Sequence, residues 1–248
     1  MKKVLLITGA SRGIGAACAL LAASRGYAIA VNYCTHEEAA DEVVQTIRSL
    51  GGEAIAVQAD VSDEASVIRM FETVTQSLGP LTGLVNNAGV VDVAAKVENM
   101  SAKRIERMFA INVFGTIYCA RQAVLRMSRC RGGAGGAIVN VSSLAATLGA
   151  ANQYVDYAAA KGAVDVFTVG LGREVAAEGI RVNAVRPGVI DTEIHASGGQ
   201  PDRAQAMAQM IPMQRPGSAQ EVAHAIVWLL SDEASYTTAT LLNVGGGR

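Results

Sequence analysis

The sequence predicts a doubly wound α/β domain: a parallel sheet of seven strands with helices on both faces. Three observations carry that expectation. Short apolar runs rich in Val and Ile alternate along the chain with longer segments of helical period. Several of those runs are apolar on both sides of the pleat, as a sheet covered on both faces demands. A glycine-rich turn follows the first run directly. Alternation this regular implies parallel strands joined by right-handed crossovers.

Strands are expected at 3–8, 28–33, 54–58, 82–86, 137–142, 181–186 and 240–244. Helical patterns fall between and after them, at about 14–25, 37–50, 63–78, 101–128, 153–178 and 218–231. No linker, tandem repeat or low-complexity segment divides residues 1–248, so a single domain is expected. One stretch, 188–217, breaks the rhythm with glycines, prolines and polar residues around a short helical piece near 203–210. A loop this long inside a compact domain is usually functional. It follows the C-terminal end of a strand, the edge where ligands sit in open α/β sheets. We read it as a substrate lid, with a plain surface excursion as the alternative.

Half of the residues are apolar and 17% are charged, enough for a sizeable core and too apolar for compositional disorder. The net charge is −1 and no basic run occurs, which argues against a nucleic-acid partner. No window offers the ~18 uncharged apolar residues of a membrane span. The N-terminal apolar stretch is too short for a signal sequence and is broken by the glycines from Gly9 to Gly15. Cys18, Cys34, Cys119 and Cys130 show no CxxC and no metal-ligand spacing. Reduced thiols, no metal site and a cytoplasmic location are therefore expected.

The turn Thr8-Gly9-Ala10-Ser11-Arg12-Gly13-Ile14-Gly15 closes the first strand and opens the first helix. Glycine at 9, 13 and 15 lets the backbone turn tightly and approach a pyrophosphate, whose charge a helix N-terminus favours. The spacing is GxxxGxG, so the turn by itself is weak evidence; its place as the first βα connection gives it weight. Asp60-Val61 ends the third strand, where a carboxylate can accept from an adenine amino group. Asn86-Asn87-Ala88-Gly89 ends the fourth, with small residues where the chain must pass close to a ribose or ring.

Tyr157 and Lys161 lie at i and i+4 of a helical pattern, so phenol and ammonium share one face. A free phenol, with a pKa near 10, is a poor acid or base at neutral pH. A cation a few Å away should bring it toward the working range. Tyr154 serves as a control, since the residue four positions on is Ala158. Ser142-Ser143 ends the fifth strand, where a hydroxyl can bond a substrate carbonyl. Asn112 lies inside a helical pattern, and a buried Asn there must bond a backbone carbonyl or hold a water.

Taken together and in order, TGASRGIG, NNAG, Ile111-Asn112-Val113, Ser142-Ser143, YAAAK and Arg186-Pro187-Gly188 resemble the short-chain dehydrogenases/reductases over the whole chain. The resemblance implies a Rossmann-type nucleotide-binding fold and a catalytic tetrad of Asn112, Ser143, Tyr157 and Lys161. Tyr157 would exchange a proton with the substrate oxygen while hydride passes to or from the nicotinamide. Ser143, rather than Ser142, would steady that oxygen. Lys161 would bind the nicotinamide ribose and tune Tyr157, and Asn112 would hold a relay water. The implied cofactor residues are Gly9, Ser11, Arg12, Gly13, Ile14, Gly15, Tyr33, Cys34, Asp60, Val61, Asn87, Ala88, Gly89, Tyr157, Lys161, Pro187, Gly188, Ile190 and Thr192. A homotetramer, or a homodimer, is also implied.

Within the family the chain looks most like the 3-oxoacyl-(acyl-carrier-protein) reductase and glucose dehydrogenase branch. It departs from the former in a Ser143-to-Tyr157 gap one residue longer. It also has Glu178 where those reductases often carry a basic residue. NADP(H) is expected over NAD(H): an NAD site places Asp or Glu at the end of the second strand, and Tyr33 stands there, with Arg12 nearby as a phosphate ligand. The substrate expected is a small ketone or secondary alcohol, in a pocket drawing on Tyr154, Gly188–His195, Met207 and Met210. A sugar-nucleotide epimerase would need a larger C-terminal domain, and a non-enzymatic dinucleotide sensor tends to lose the Tyr or Lys.

Overall fold

The first strand shows how the core is divided. In β1 (Lys3–Ile7), Leu5 and Ile7 enter one apolar cluster while Val4 and Leu6 enter another. Successive side chains of a strand face opposite sides of the sheet, so a strand apolar at every position needs helices above and below it. The same division runs through β2 (Tyr27–Tyr33), with Ile29 and Val31 on the first side and Ala28 and Ala30 on the second. The computed structural model describes residues 2–248, with the backbone alone at 195 and 197.

The sheet continues through β3 (Ala54–Gln58), β4 (Gly83–Asn86), β5 (Gly136–Val141), β6 (Ile180–Pro187) and β7 (Leu241–Val244). Its order is 3-2-1-4-5-6-7, every pairing parallel. All seven expected strands are present. The chain reverses its winding beside β1, which lies between β2 and β4, and this opens a crevice at the C-terminal strand ends.

On the first face lie α1 (Gly13–Ser24), α2 (Glu37–Ser49) and a last helix, Ala219–Leu230. Ser218 and Glu221 cap that helix reciprocally, satisfying two of its orphan amides. On the second face, α3 (Glu64–Leu78) starts from Asp63, whose carboxylate accepts from the amides of Ala65 and Ser66. The pattern at 101–128 forms α4 (Ala102–Phe109), a π turn (Ala110–Phe114) and α5 (Gly115–Met127). That continuous stretch, Ala102–Met127, has the length and apolarity of a membrane span, which the sequence reading did not expect. Half of its most apolar window is buried within the fold, and Cys119, Ala123 and Met127 pack on the sheet. The pattern at 153–178 becomes α6 (Val155–Glu174) followed by a 3-10 turn, Ala176–Glu178.

The excursion at 188–217 is pinned at its base. Ile190–Asp191 and Gly217–Ser218 form a short parallel ladder, and Val189, Ala204 and Ile211 make a small core of their own with Met207 against it. Among the described residues all four cysteines are free, Cys18 and Cys119 buried, Cys34 and Cys130 exposed.

A buried ion pair ties α6 to β6. Arg186 donates through Nε and Nη2 to Asp165 Oδ2 at 2.9 and 2.8 Å. Removing one member of such a pair leaves an uncompensated buried charge. Asp165→Ala should therefore cost about 3–5 kcal/mol in urea unfolding. Asp165→Leu combined with Arg186→Met should recover most of that loss.

Candidate active site

The glycine turn is held from two sides. Thr8 Oγ1 accepts from the amides of Asn87 and Ala88, both at 3.0 Å. The Asn87 side-chain amide donates to the carbonyls of Thr8 (2.9 Å) and Gly9 (2.8 Å). From the other side, buried Asn32 Oδ1 accepts from the Gly9 amide at 3.1 Å, and its Nδ2 reaches the carbonyls of Tyr33, Val57 and Ala59. Asn32 escaped the sequence reading, although a polar side chain amid Ala-Ile-Ala-Val was the signal that a buried partner must exist. The glycines differ in what demands them. Gly9 has φ +60°, and a Cβ there would lie 2.9 Å from Ala88 Cα. At Gly15 a Cβ would meet Asn87 Nδ2 at 2.6 Å, so this glycine serves the packing of NNAG rather than the approach of a phosphate.

Two adjoining cavities open along the strand ends. The first, about 460 Å³, runs past Gly9, Ser11, Arg12, Gly13, Tyr33, Cys34, Asp60, Val61 and Ala88. The second, about 380 Å³, is lined by Ser143, Tyr154, Tyr157, Lys161, Pro187, Gly188, Met207 and Met210, among others. Ile14, Asn87, Gly89 and Thr192 line both, and Ile190 lines the second. Apart from Gly15, the cofactor residues expected from sequence thus fall along one continuous cleft. The side chain of His195 lies outside the described residues.

The first cavity fits a dinucleotide. The helix bond from the Ala16 amide to the Arg12 carbonyl is 3.2 Å. The amides of 13–15 precede it and have no intrahelical acceptor, which makes this end of α1 an anion site. Asp60 lines the cavity, and its Oδ1 also accepts from the Ser62 amide and hydroxyl. Glu37 stands by the Tyr33 hydroxyl and, after burial, is the next cause raising its pKa. A carboxylate is therefore beside Tyr33, brought by α2 rather than by the strand.

At the second cavity, Ser142 and Ser143 part company. Ser142 is buried, its hydroxyl donating to the Lys161 carbonyl at 3.2 Å. Ser143 is only part-buried; its Oγ accepts from the Ala145 amide at 3.1 Å and stands close enough to Tyr157 to pull that phenol's pKa down. Asn112 is fully buried in the π turn, where the extra residue re-aims the side chain. Its Oδ1 accepts from the Val90 amide (3.1 Å), and its Nδ2 donates to the carbonyls of Val90 (3.1 Å) and Met108 (2.9 Å). Of the two fates expected for a buried Asn, this structure shows the bond to backbone carbonyls. Gly89 is the close approach here: a Cβ would stand 2.8 Å from Asn112 Oδ1.

Lys161 Nζ donates to the Val141 carbonyl at 2.7 Å and lies 5.6 Å from the centroid of the Tyr157 ring. The helical spacing does bring the two together. It does not lower the phenol in the chain by itself. Burial pushes Tyr157 up to about 12 and Lys161 down to about 8, with Asp165 partly opposing the latter. Dehydration of both groups outweighs the attraction that their shared helix face suggests. Tyr154 is not an isolated control either, because Arg203 of the excursion lies 5.2 Å over its ring.

Known proteins of similar sequence and fold give the family. A family model described as Enoyl-(Acyl carrier protein) reductase matches residues 9–248. "Uncharacterized oxidoreductase YgfF" of Escherichia coli (strain K12) is 55% identical, over 99% of both chains. "Glucose 1-dehydrogenase 2" of Bacillus subtilis (strain 168) is 36% identical, over 99% of this chain and 94% of that one. A solved short-chain dehydrogenase/reductase of Serratia marcescens, in a mutant form, superposes with a TM-score of 0.90 at 31% identity, covering 99% and 97% of the two chains. Fold and site define an oxidoreductase built on a dinucleotide-binding sheet. The chain belongs to the short-chain dehydrogenase/reductase family.

The buried lysine leaves a signature in stability. Between about pH 8 and the ordinary value of 10.5 the unfolded chain holds a proton on Lys161 that the folded chain has released. Stability therefore rises with pH across that window. Lys161→Met should abolish that rise, so the wild-type urea midpoint should gain on the variant's between pH 8 and 10. Parallel profiles would show that the ammonium carries no burial cost.

Proposed function

We propose that this chain is an NADP(H)-dependent enzyme interconverting a small ketone and a secondary alcohol in the cytoplasm, with Tyr157 as proton donor and acceptor. The observation that carries the reading is the meeting of Ser143, Tyr157 and Lys161 in one cavity that continues into the one lined by the glycine turn. When bound, the nicotinamide supplies or accepts the hydride. Ser143 donates to the substrate oxygen and orients it, and Tyr157 gives that oxygen its proton in the reductive direction. Lys161 holds the cofactor ribose and, as an ammonium, favours the phenolate. Asn112 keeps α4 and α5 in register with the loop at Val90. The excursion at 188–217 closes over the substrate as a lid. Exposed Ile105, Phe114, Leu125 and Val166 on α4, the π turn, α5 and α6 favour a homotetramer or homodimer over a monomer.

For the cofactor, Arg12, Thr35 and His36 line the end of the first cavity around Tyr33. No Asp or Glu ends β2, and Glu37 is engaged by the Tyr33 hydroxyl. A 2′-phosphate there gains a charge-assisted contact from Arg12. Wild type should show a higher kcat/KM with NADPH than with NADH, and Arg12→Ala should cut the NADPH value about tenfold more than the NADH value. An equal loss on both cofactors would remove the phosphate assignment.

The chemistry is tested at Tyr157. Tyr157→Phe should lose roughly 10²–10⁴-fold in turnover, as removal of a general acid does, with cofactor affinity retained in a fluorescence titration. More than a tenth of the wild-type rate would be incompatible with the proposed role. Tyr154→Phe should be much milder.

A further inference from the structure

The second cavity holds a cation that the proposed chemistry does not use. Its walls are largely apolar, with Val91, Leu144, Leu148, Val189 and Met207 among them, and no Asp or Glu side chain lines it. Arg203 does line it, part-buried. Its Nη1 donates to Gln200 Oε1 and its Nη2 to Gln153 Oε1, both at 2.7 Å. Its plane lies over the ring of buried Tyr154. Gly198, on the same excursion, sits against the Tyr154 hydroxyl, where a Cβ would be 3.4 Å away.

This guanidinium is fixed in position yet carries no counter-charge. The two other well-buried arginines near the site are each matched by a carboxylate, Arg104 by Asp156 and Arg186 by Asp165. Among the described residues Arg203 bonds only the neutral amide oxygens of Gln153 and Gln200, and no Asp or Glu pairs with it. Five N–H groups belong to a guanidinium, so two amide bonds leave three for another acceptor. A part-buried cation without a partner has lost hydration that an anionic ligand would replace. Tyr154 caps the helix that carries Tyr157, so the cation and the reacting phenol share one cavity.

We propose that Arg203 binds a carboxylate on the substrate, so that the substrate is a keto acid, or the matching hydroxy acid, with an apolar body between its two functional groups. This rests on reading the second cavity as the substrate site. The apolar walls take the body, Ser143 and Tyr157 take the ketone oxygen, and the planar guanidinium takes the carboxylate. The planar fork of one guanidinium matches one carboxylate.

The test uses pairs of like shape and different charge: levulinate, 4-oxocyclohexanecarboxylate and 4-acetylbenzoate, each against its neutral methyl ester, with NADPH consumption followed in the full-length protein. At least one acid should exceed its ester about tenfold in kcat/KM, mainly through KM, as expected for one charge-assisted contact. Arg203→Gln should erase that preference, with the loss falling on the KM of the acid, and Arg203→Lys should restore part of it. Esters that match or beat their acids throughout, or a variant that loses acid and ester alike, would overturn the proposal and leave Arg203 as a lid contact only. Benzoate binding to the cofactor-loaded protein gives a readout without turnover. Wild type should bind benzoate about tenfold more tightly than Arg203→Gln and should discriminate against benzamide. Equal binding would refute the carboxylate site. If neither acids nor esters are reduced, the ketone chemistry falls, and the benzoate titration still decides the role of Arg203.

Discussion

Asn87 commits its side-chain amide to the carbonyls of Thr8 and Gly9, and the rest of the site depends on that contact. It joins the ends of β1 and β4 where the sheet reverses its winding, so the crevice has a floor of defined shape. Gly15 must be glycine because Asn87 already fills the space of a Cβ. Asn32 holds the other edge of the same turn to β2 and β3. Backbone groups at the end of a sheet buried on both faces have no water to fall back on. Here part-buried Asn87 and buried Asn32 satisfy them, and in doing so set where the α1 amides and Arg12 stand.

A second polar chain reaches the catalytic helices. Asn86 Nδ2 contacts Asn140 Oδ1 at 2.9 Å and the Thr116 carbonyl at 3.2 Å. Asn140 Nδ2 continues to Thr168 Oγ1 at 2.8 Å, and the Thr116 hydroxyl donates to the Asn112 carbonyl at 3.0 Å. Strands β4 and β5 are thereby bonded to α5 and α6 through the side chains of Asn86 and Asn140. The π turn belongs to this arrangement, since Asn112 must satisfy both Val90 and Met108 from within a helix. The network is satisfied except at Asn86 Oδ1, which is buried without a partner among the described residues.

Electrostatics at the centre is governed by dehydration. Tyr157 and Lys161 are both pushed toward their neutral forms, and Asp165, anchored by Arg186, is the group that resists this for the lysine. The site holds a phenol as a proton source and an amine whose charge responds to whatever lies beside it. A bound anion or polarised ring would shift both, which couples ligand binding to the readiness of the acid.

Periodicity was enough to place the strands, because their apolar runs answer to burial on both faces, a demand local to each segment. The glycine turn, the paired serines and the Tyr157–Lys161 spacing were legible for the same reason: each is a short-range pattern with one geometric meaning. Contacts between distant segments were not. Nothing in the order of residues places Glu37 at the Tyr33 hydroxyl or Arg203 over the ring of Tyr154. Nor does it distinguish buried Ser142 from cavity-facing Ser143, which resemblance alone had done. The pKa shifts belong to the same class, because dehydration depends on everything that surrounds a group. Sequence by itself determined the fold class and which chemical groups the strand ends carry. Tertiary structure decided which of them meet, which are dry and which cation lacks a counter-charge, since those properties arise only when chain segments far apart in sequence exclude water from the same space.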